Sequence, residues 1–537
     1  MYKFKTAVYK MPRLKKSRIH VILVGNLTII VLKHLRLMSL CPYFLVSLLF
    51  SNYSISIVIL KLFIHYNINL FSLKFNHKYY QQYASPSLIL KLDCCQQTNP
   101  LHICWSKRGV DMRTLKRRSR DNDVMEIQSL LAKIGYYPGP IDGVFGLKTE
   151  EAIKQFQRNY GLTADGIIGT NTYKVLQGLL LGYENYTIKA GDTLFLIAQK
   201  YHISLAKLLT ANSGINPLTL QIGQVIKVPY SFDVVDTNIN YTYEIMERDV
   251  LGLKSRYPFI EIGVAGKSVL GKNLYTLKLG NGPVEVFYNA AHHGLEWITS
   301  PMLMKFIENF AKAYTEGLPM HGYDLKDIWL QNTIYIMPMV NPDGVDLVLQ
   351  GLQKDNPFYD QLIAWNKGRM NFGEVWQANI RGVDLNHNYD ASWQLSKQAE
   401  AEYGVYGPGP TRFSGQSPES EPESKAVADF TRTHNFRLVL AYHSQGEVIY
   451  WTYLNKTPPE ALRIGEVFSQ LSGYSLAEAT GITSYAGYKD WFIDKYQRPG
   501  FTIEVGLGTN PLPISQFAKI YQDNEEVLLV APIQARS

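Results

Sequence analysis

Two side-chain types that bind metal ions meet in the stretch FYNAAHHGLEWITSP, Phe287 to Pro301. His292 and His293 stand side by side, and Glu296 follows three residues after the second. Imidazole nitrogens and carboxylate oxygens are usual protein donors to zinc, and a catalytic zinc takes about three of them while one position stays open. A turn after the first ligand brings His293 and Glu296 onto one ion. Neighbouring residues on a strand point to opposite faces, so only one of the paired histidines can serve, and His292 is the one left over. The third donor must come from elsewhere in the chain. His443, at the end of RLVLAYHS, supplies it, and Glu504, in GFTIEVG, brings a further carboxylate to the same edge. One zinc ion per chain is the expected cofactor. An H-x-x-E pair alone occurs in many turns that bind nothing; the arrival of His, Glu, His and a second Glu from three separate apolar runs makes a metal site the better reading.

Those runs have the composition of buried strands. VEVFYNAAH, TIYIMPMVN, RLVLAYHS and GFTIEVG are nearly continuous in apolar residues, as strands covered on both faces are. SPMLMKFIENFAKAY, ESKAVADFTRTH and PPEALRIGEVFSQLS carry the helical spacing needed to cover them. Residues 243–537 are therefore expected to form one α/β domain with helices on both faces of a sheet. Such sheets bind ligands at the carboxyl ends of their strands, the edge where all four polar residues fall.

Charge divides the 537 residues unevenly. Residues 1–120 hold 20 Lys/Arg against Asp93 and Asp111, whereas the rest hold 34 Lys/Arg against 44 Asp/Glu. The bulk of the chain is thus acidic, which removes any electrostatic argument for a nucleic-acid partner. Cys41, Cys94, Cys95 and Cys104 all lie in the basic segment, so no disulfide or thiolate metal site is available later in the chain. Residues 1–120 read as a basic, hydrophobic leader. Its uncharged run Ser39–Leu60 has the length of a membrane span, although Pro42, Asn52 and several serines dilute it. The scarcity of acids and the lack of periodicity suit equally an over-extended reading frame with its true start at Met112 or Met125.

Between leader and α/β domain lie two smaller modules. In 123–180, VMEIQSLLAKIGYY and TEEAIKQFQRNYGL have helical spacing, and each is followed by D-G-x-x-G-x-x-T, at Asp142–Thr149 and again at Asp165–Thr172. The glycines serve turns, and the Asp and Thr are expected to satisfy turn amides and cap the next helix. In 184–230, Tyr186 opens a short strand, Gly191-Asp192-Thr193 a turn with an N-cap, LFLIAQKYHIS and LAKLLTANS two helices, and Gln224–Val228 a closing strand. Residues 230–245 read as a polar, aromatic linker. The first module resembles the bacterial peptidoglycan-binding domain, a small all-α fold. The second resembles the βααβ LysM module in AGDTL, ANSGIN and LQIGQVIKVP, which implies binding of N-acetylglucosamine-containing glycan beside the strand–helix turn.

HHGLEW, VNPDGV, RGVDLNHNYD, AYHSQG and FTIEVG occur in that order across the last domain. In this combination it resembles the zinc carboxypeptidase family, which implies a three-layer α/β/α fold with a mixed sheet. The resemblance implies His293, Glu296 and His443 as zinc ligands and Glu504 as general base and acid. It implies Arg369, or alternatively Arg381, as the arginine that stabilises the oxyanion, and Tyr485, ahead of GYKDW, as the mobile substrate tyrosine. Ordinary members carry Asn-Arg after GVDL, and that arginine grips the substrate's C-terminal carboxylate. This chain has Asn386-His387, and an imidazole cannot offer the bidentate fork of a guanidinium.

That departure, with two wall-binding modules upstream, is similar to the γ-D-glutamyl-meso-diaminopimelate peptidases of spore-forming Gram-positive bacteria. The expected partners are peptidoglycan glycan strands and stem peptides, with membrane contact only through the leader. The expected location is the cell wall, the extracellular space or the forespore. Two alternatives stand beside this reading: a conventional metallocarboxypeptidase trimming peptide C-termini, and a non-catalytic wall-binding protein, against which the complete His293, Glu296, His443 and Glu504 set argues.

Overall fold

The computed structural model describes residues 114–479 and 485–536 and, of the first 113, four strands; it divides the chain into the units Met1–Val110 and Asp111–Ser537. In the first unit β1 (Ser17–Val24), β2 (Leu27–His34), β3 (Leu45–Phe50) and β4 (Ser87–Lys91) form an antiparallel sheet in chain order. Apart from β3, the run Ser39–Leu60 lies outside the described residues, as do the four cysteines. No helix among the described residues is long and apolar enough to cross a membrane.

The second unit opens with helices Asn122–Lys133, Leu147–Asn159 and Thr170–Leu180, which close around Val124, Leu131, Phe145, Ile153, Phe156 and Leu176. The tandem D-G-x-x-G-x-x-T turns are held by a residue type outside the motif. Gln128 donates to Asp142 Oδ1 at 3.1 Å, Val144 O at 3.0 Å and Thr149 Oγ1 at 3.1 Å, and Gln157 makes the same three bonds to Asp165, Ile167 and Thr172 at 2.8, 2.9 and 3.1 Å. Asp142 and Asp165 accept turn amides as expected. Thr149 and Thr172 do not cap: glycines 146 and 169 take the N-cap positions, and the threonines sit inside the helices against the glutamines.

β5 (Tyr183–Thr187) then pairs antiparallel with β6 (Val225–Pro229), with helices Leu194–Lys200 and Leu205–Ala211 between them. Thr193 caps the first helix by accepting from Leu196 N at 3.1 Å. Asn212 ties the second helix to β6 through bonds with both backbone groups of Lys227.

The expected linker at 230–245 is a packed segment. Val234, Val235, Ile239 and Tyr241 are buried in the main core, and the buried carboxylate of Glu308 accepts the amides of Val234 and Val235 at 2.6 and 3.2 Å. Buried amides left unpaired cost about 1–3 kcal/mol each, so this carboxylate allows the chain to run inside. Both small modules are docked on the helix that follows, Tyr243–Arg256. Buried Arg248 pairs with Glu126 of the first helix, and Arg256 donates to Gly182 O and Tyr230 O on either side of the βααβ module.

The last domain is built on a mixed sheet of β7 (Glu261–Lys267), β8 (Asn273–Gly280), β9 (Val284–Ala290), β10 (Asn332–Met337), β11 (Leu438–His443), β12 (Val448–Tyr450), β13 (Ser475–Ala477) and β14 (Gly500–Glu504). Their spatial order is β13-β12-β14-β11-β9-β10-β8-β7, and the central pairs β10–β9, β9–β11 and β11–β14 are parallel. Alternation along β9 shows the three layers. Val286 and Tyr288 face a core completed by helices Thr299–Glu316 and Phe517–Gln534, while Phe287 faces one completed by Pro422–Arg432 and Tyr488–Tyr496. β9, β11 and β14 lie side by side and end at one edge, and the polar residues follow there.

Candidate metal centre

β9 ends at Ala290, and its exit is fixed from behind by the VNPDGV segment. Val340 N and Asn341 N donate to Ala290 O and Ala291 O, each at 3.0 Å. Asn341 caps helix Pro342–Gln350 through Gly344 N and donates to His292 O at 3.0 Å. Gly294 must be glycine here, because a β-carbon would lie 2.7 Å from Gly344 O and 3.0 Å from Trp376 O. The chain then makes a single 3-10 turn, Gly294–Glu296, which folds Glu296 back under His293.

The result is a compact donor set. His293 Nδ1 lies 2.8 Å from Glu296 Oε1, and His443 Nδ1 lies 2.8 Å from Glu296 Oε2. One donor atom from each of the three residues falls within 4.8 Å of the others. His292 takes no part. Its ring is fully buried, its Nε2 contacts Tyr389 Oη at 2.9 Å, and burial together with the neighbouring His443 and His293 holds its pKa well below the usual value. Glu504 ends β14 in register with His443 on β11, so its carboxylate reaches the same cavity from the adjacent strand.

The electrostatics fit a cation. Burial disfavours the charge of Glu296, yet His293 and His443 outweigh it and hold its carboxyl below the ordinary range. Burial likewise opposes charge on His293, but Glu296 and Asp384 raise its pKa well above the usual value. A partly buried imidazole clamped between two carboxylates is a place where positive charge is favoured. Two nitrogens and one oxygen also match the donor set of zinc, with the cavity on the remaining side. Glu504 behaves differently: burial first, and the negative Glu296 second, push its carboxyl well above the ordinary value.

Asp384, within GVDLN, was not singled out by its sequence, yet it completes the site. His293 Nε2 donates to its Oδ1 at 2.9 Å, which leaves Nδ1 turned toward Glu296, and the Arg412 amide donates to its Oδ2 at 2.9 Å. Burial opposes the charge of Asp384, but His293, His387 and that amide hold its carboxyl far below the usual range. Asp384→Asn is expected to weaken zinc affinity about 10- to 100-fold, measured by competition with a chromophoric chelator. Wild-type affinity in this variant would reduce Asp384 to a structural cap.

The cavity over the cluster has a volume of about 460 Å³ and is lined by His293, Glu296, Asp384, His387, Arg412 and Glu504 among others. Neither arginine expected at the oxyanion lines it. Arg381 is committed to Glu421, to which its Nε donates at 2.8 Å, and Arg369 is exposed in the turn after helix Tyr359–Trp365. Of the three residues expected to meet substrate, His387 lines the cavity. Asn386 does not: its Oδ1 accepts the amide of Tyr488 at 3.0 Å and so anchors the following helix. Tyr485 contributes its carbonyl, which His387 Nδ1 meets at 3.2 Å.

A sequence model described as zinc carboxypeptidase matches residues 246–527, more than half of the chain. The chain belongs to the zinc carboxypeptidase family. It is a zinc metallopeptidase carrying two further modules, matched over 120–176 by a peptidoglycan binding domain and over 186–229 by a LysM domain. These modules bind cell-wall peptidoglycan and place this zinc carboxypeptidase homologue at the cell wall or outside the cell. It is 43% identical to gamma-D-glutamyl-L-diamino acid endopeptidase 1 of Lysinibacillus sphaericus, over 63% of this chain and 96% of that one. It is 36% identical to YqgT of Bacillus subtilis over 54% of this chain and 76% of that one, and 27% identical to carboxypeptidase B of Bos taurus over 45% and 56%.

Proposed function

We propose that this zinc peptidase cuts the stem peptides of peptidoglycan at the bond between the γ-carboxyl of D-glutamate and diaminopimelate. The observation that carries the reading is the 43% identity extending over 96% of an endopeptidase named for a γ-D-glutamyl bond to a diamino acid. His387 in place of an arginine supports it, because a peptidase that recognises only an α-carboxylate at a chain end relies on a guanidinium fork.

His293, Glu296 and His443 hold the zinc in this reading. Bound there, zinc supplies Lewis acidity toward a carbonyl and activates solvent near neutral pH. Glu504, on the strand next to His443, takes the proton from the attacking water and passes it to the leaving nitrogen of diaminopimelate. Asp384 keeps the His293 ring oriented throughout. The two wall-binding modules raise the local concentration of stem peptides without touching the reacting bond.

Digestion of purified muropeptides and of hippuryl-type L-peptides, with products identified by mass spectrometry, tests the proposal. Release of fragments beginning with diaminopimelate is expected, with little cleavage of the L-peptides. Cleavage of the L-peptides alone would return the protein to conventional carboxypeptidase activity. Hydrolysis of neither, with zinc bound, would leave a wall-binding protein.

A further inference from the structure

Resting on that reading, we infer that Arg412 is the residue that recognises a carboxylate of diaminopimelate, in place of the arginine that ordinary family members carry at position 387.

Three arginines lie near the site in sequence, and of these Arg412 is the one that lines the cavity. Arg381 is held by Glu421 and Ser420 O, and Arg369 lies off the cavity. Arg412 lines the cavity, and its guanidinium lies 4.8 Å from the centroid of the Tyr403 ring. It meets no carboxylate among the described residues. Stacking on an aromatic face orients a guanidinium without using its in-plane donors, so the fork stays free for an anion.

Its backbone is tied to the metal centre. The Arg412 amide donates to Asp384 Oδ2 at 2.9 Å, and Asp384 Oδ1 accepts from His293 Nε2 at 2.9 Å. Arg412 also adopts a left-handed φ of 67°, a conformation that a non-glycine residue holds only when its surroundings enforce it. The backbone of Arg412 is therefore held to the donor set by a hydrogen bond through Asp384.

A substrate carboxylate also calls for a two-pronged donor. His387 does not offer one, because its Nδ1 faces Tyr485 O at 3.2 Å and only Nε2 remains. One nitrogen cannot grip both oxygens of a carboxylate, whereas the Arg412 fork can.

The test compares full-length wild type, Arg412→Gln and Arg412→Lys, all zinc-loaded, on stem tripeptides with both diaminopimelate carboxylates free or with one or the other amidated. In wild type, amidation at one of the two positions is expected to lower kcat/KM about 10- to 100-fold, chiefly through KM. In Arg412→Gln that acid-over-amide ratio should collapse toward one, with Arg412→Lys retaining part of it. An undiminished ratio in Arg412→Gln overturns the assignment, as does an equal loss on acid and amide through kcat. Calorimetric titration of the same ligands into Glu504→Gln, with and without Arg412→Gln, gives the ratio in binding alone. The same acid and amide comparison on an L-peptide keeps the two readings apart: cleavage only of L-peptides would sink the wall-peptide function, while an unchanged ratio would sink the role of Arg412.

Discussion

Glu504→Gln is expected to lower turnover of muropeptides about 100- to 10,000-fold, the range that proton transfer by a positioned side chain contributes. Zinc should stay bound at one equivalent. The separation of these two effects follows from position. Glu504 ends β14 beside His443, in the cavity but outside the donor set formed by His293, Glu296 and His443. Glutamine keeps the shape and polarity of the side chain at this half-buried site, so the β11–β14 pairing is preserved and only the proton-accepting oxygen is lost. The group is also poised to hold a proton once it has taken one: burial and the adjacent Glu296 both favour its neutral form. Steady-state kinetics with metal analysis of the same preparation decide the matter. Turnover above about a tenth of wild type would assign the proton transfer to another group, and loss of zinc would make Glu504 a ligand.

His443 and Glu504 are legible because each closes an apolar strand, and strand ends are where a sheet of this class presents chemistry; His293 and Glu296 stand just past the end of β9, in a bend and a 3-10 turn. His293, Glu296, His443 and Glu504 meet at that edge. The choice between His292 and His293 rests on the alternation of side chains along a strand, but β9 ends at Ala290 and both histidines lie in the bend beyond it; the contact of His292 Nε2 with Tyr389 Oη is what separates its ring from the cluster. What the chain hid were residues whose role is set by tertiary partners. Arg412 lies in a loop without periodicity, and the hydrogen bond from its backbone amide to Asp384 crosses from one loop to another. Arg381 has the right chemistry and sequence neighbourhood, yet Glu421 takes its guanidinium. Asn386 sits beside the cavity but spends its carbonyl on the amide of Tyr488. The segment 230–245 reads as a linker because polar residues dilute its apolar ones, and only the buried Glu308 reveals why it runs through the core. Gln128 and Gln157 are a milder case: they recur with the tandem turns, but at different distances from them, so the repeat was visible and its internal clamp was not.

The paired histidines give the second large effect, because substitutions at two neighbouring positions should fail in opposite ways. His293→Ala or His443→Ala removes one of three donors and is expected to leave no stoichiometric zinc after dialysis and no detectable hydrolysis. In wild type, added zinc should raise the melting temperature, since a ligand that binds only the native state stabilises it by about 2.7 kcal/mol at 100 times its Kd. In either variant that rise should vanish, because Glu296 alone retains one histidine partner instead of two. His292→Ala is expected to do the reverse. It removes a fully buried ring packed 5.5 Å from His443 and bonded to Tyr389 Oη, so the fold should melt at lower temperature while zinc still raises that temperature. Metal analysis and thermal scans with and without a chelator read all three variants. Retention of tightly bound zinc by His443→Ala would show that the ion is not held where β9 and β11 end, and the assignment of Glu504 would lose its geometric basis with it.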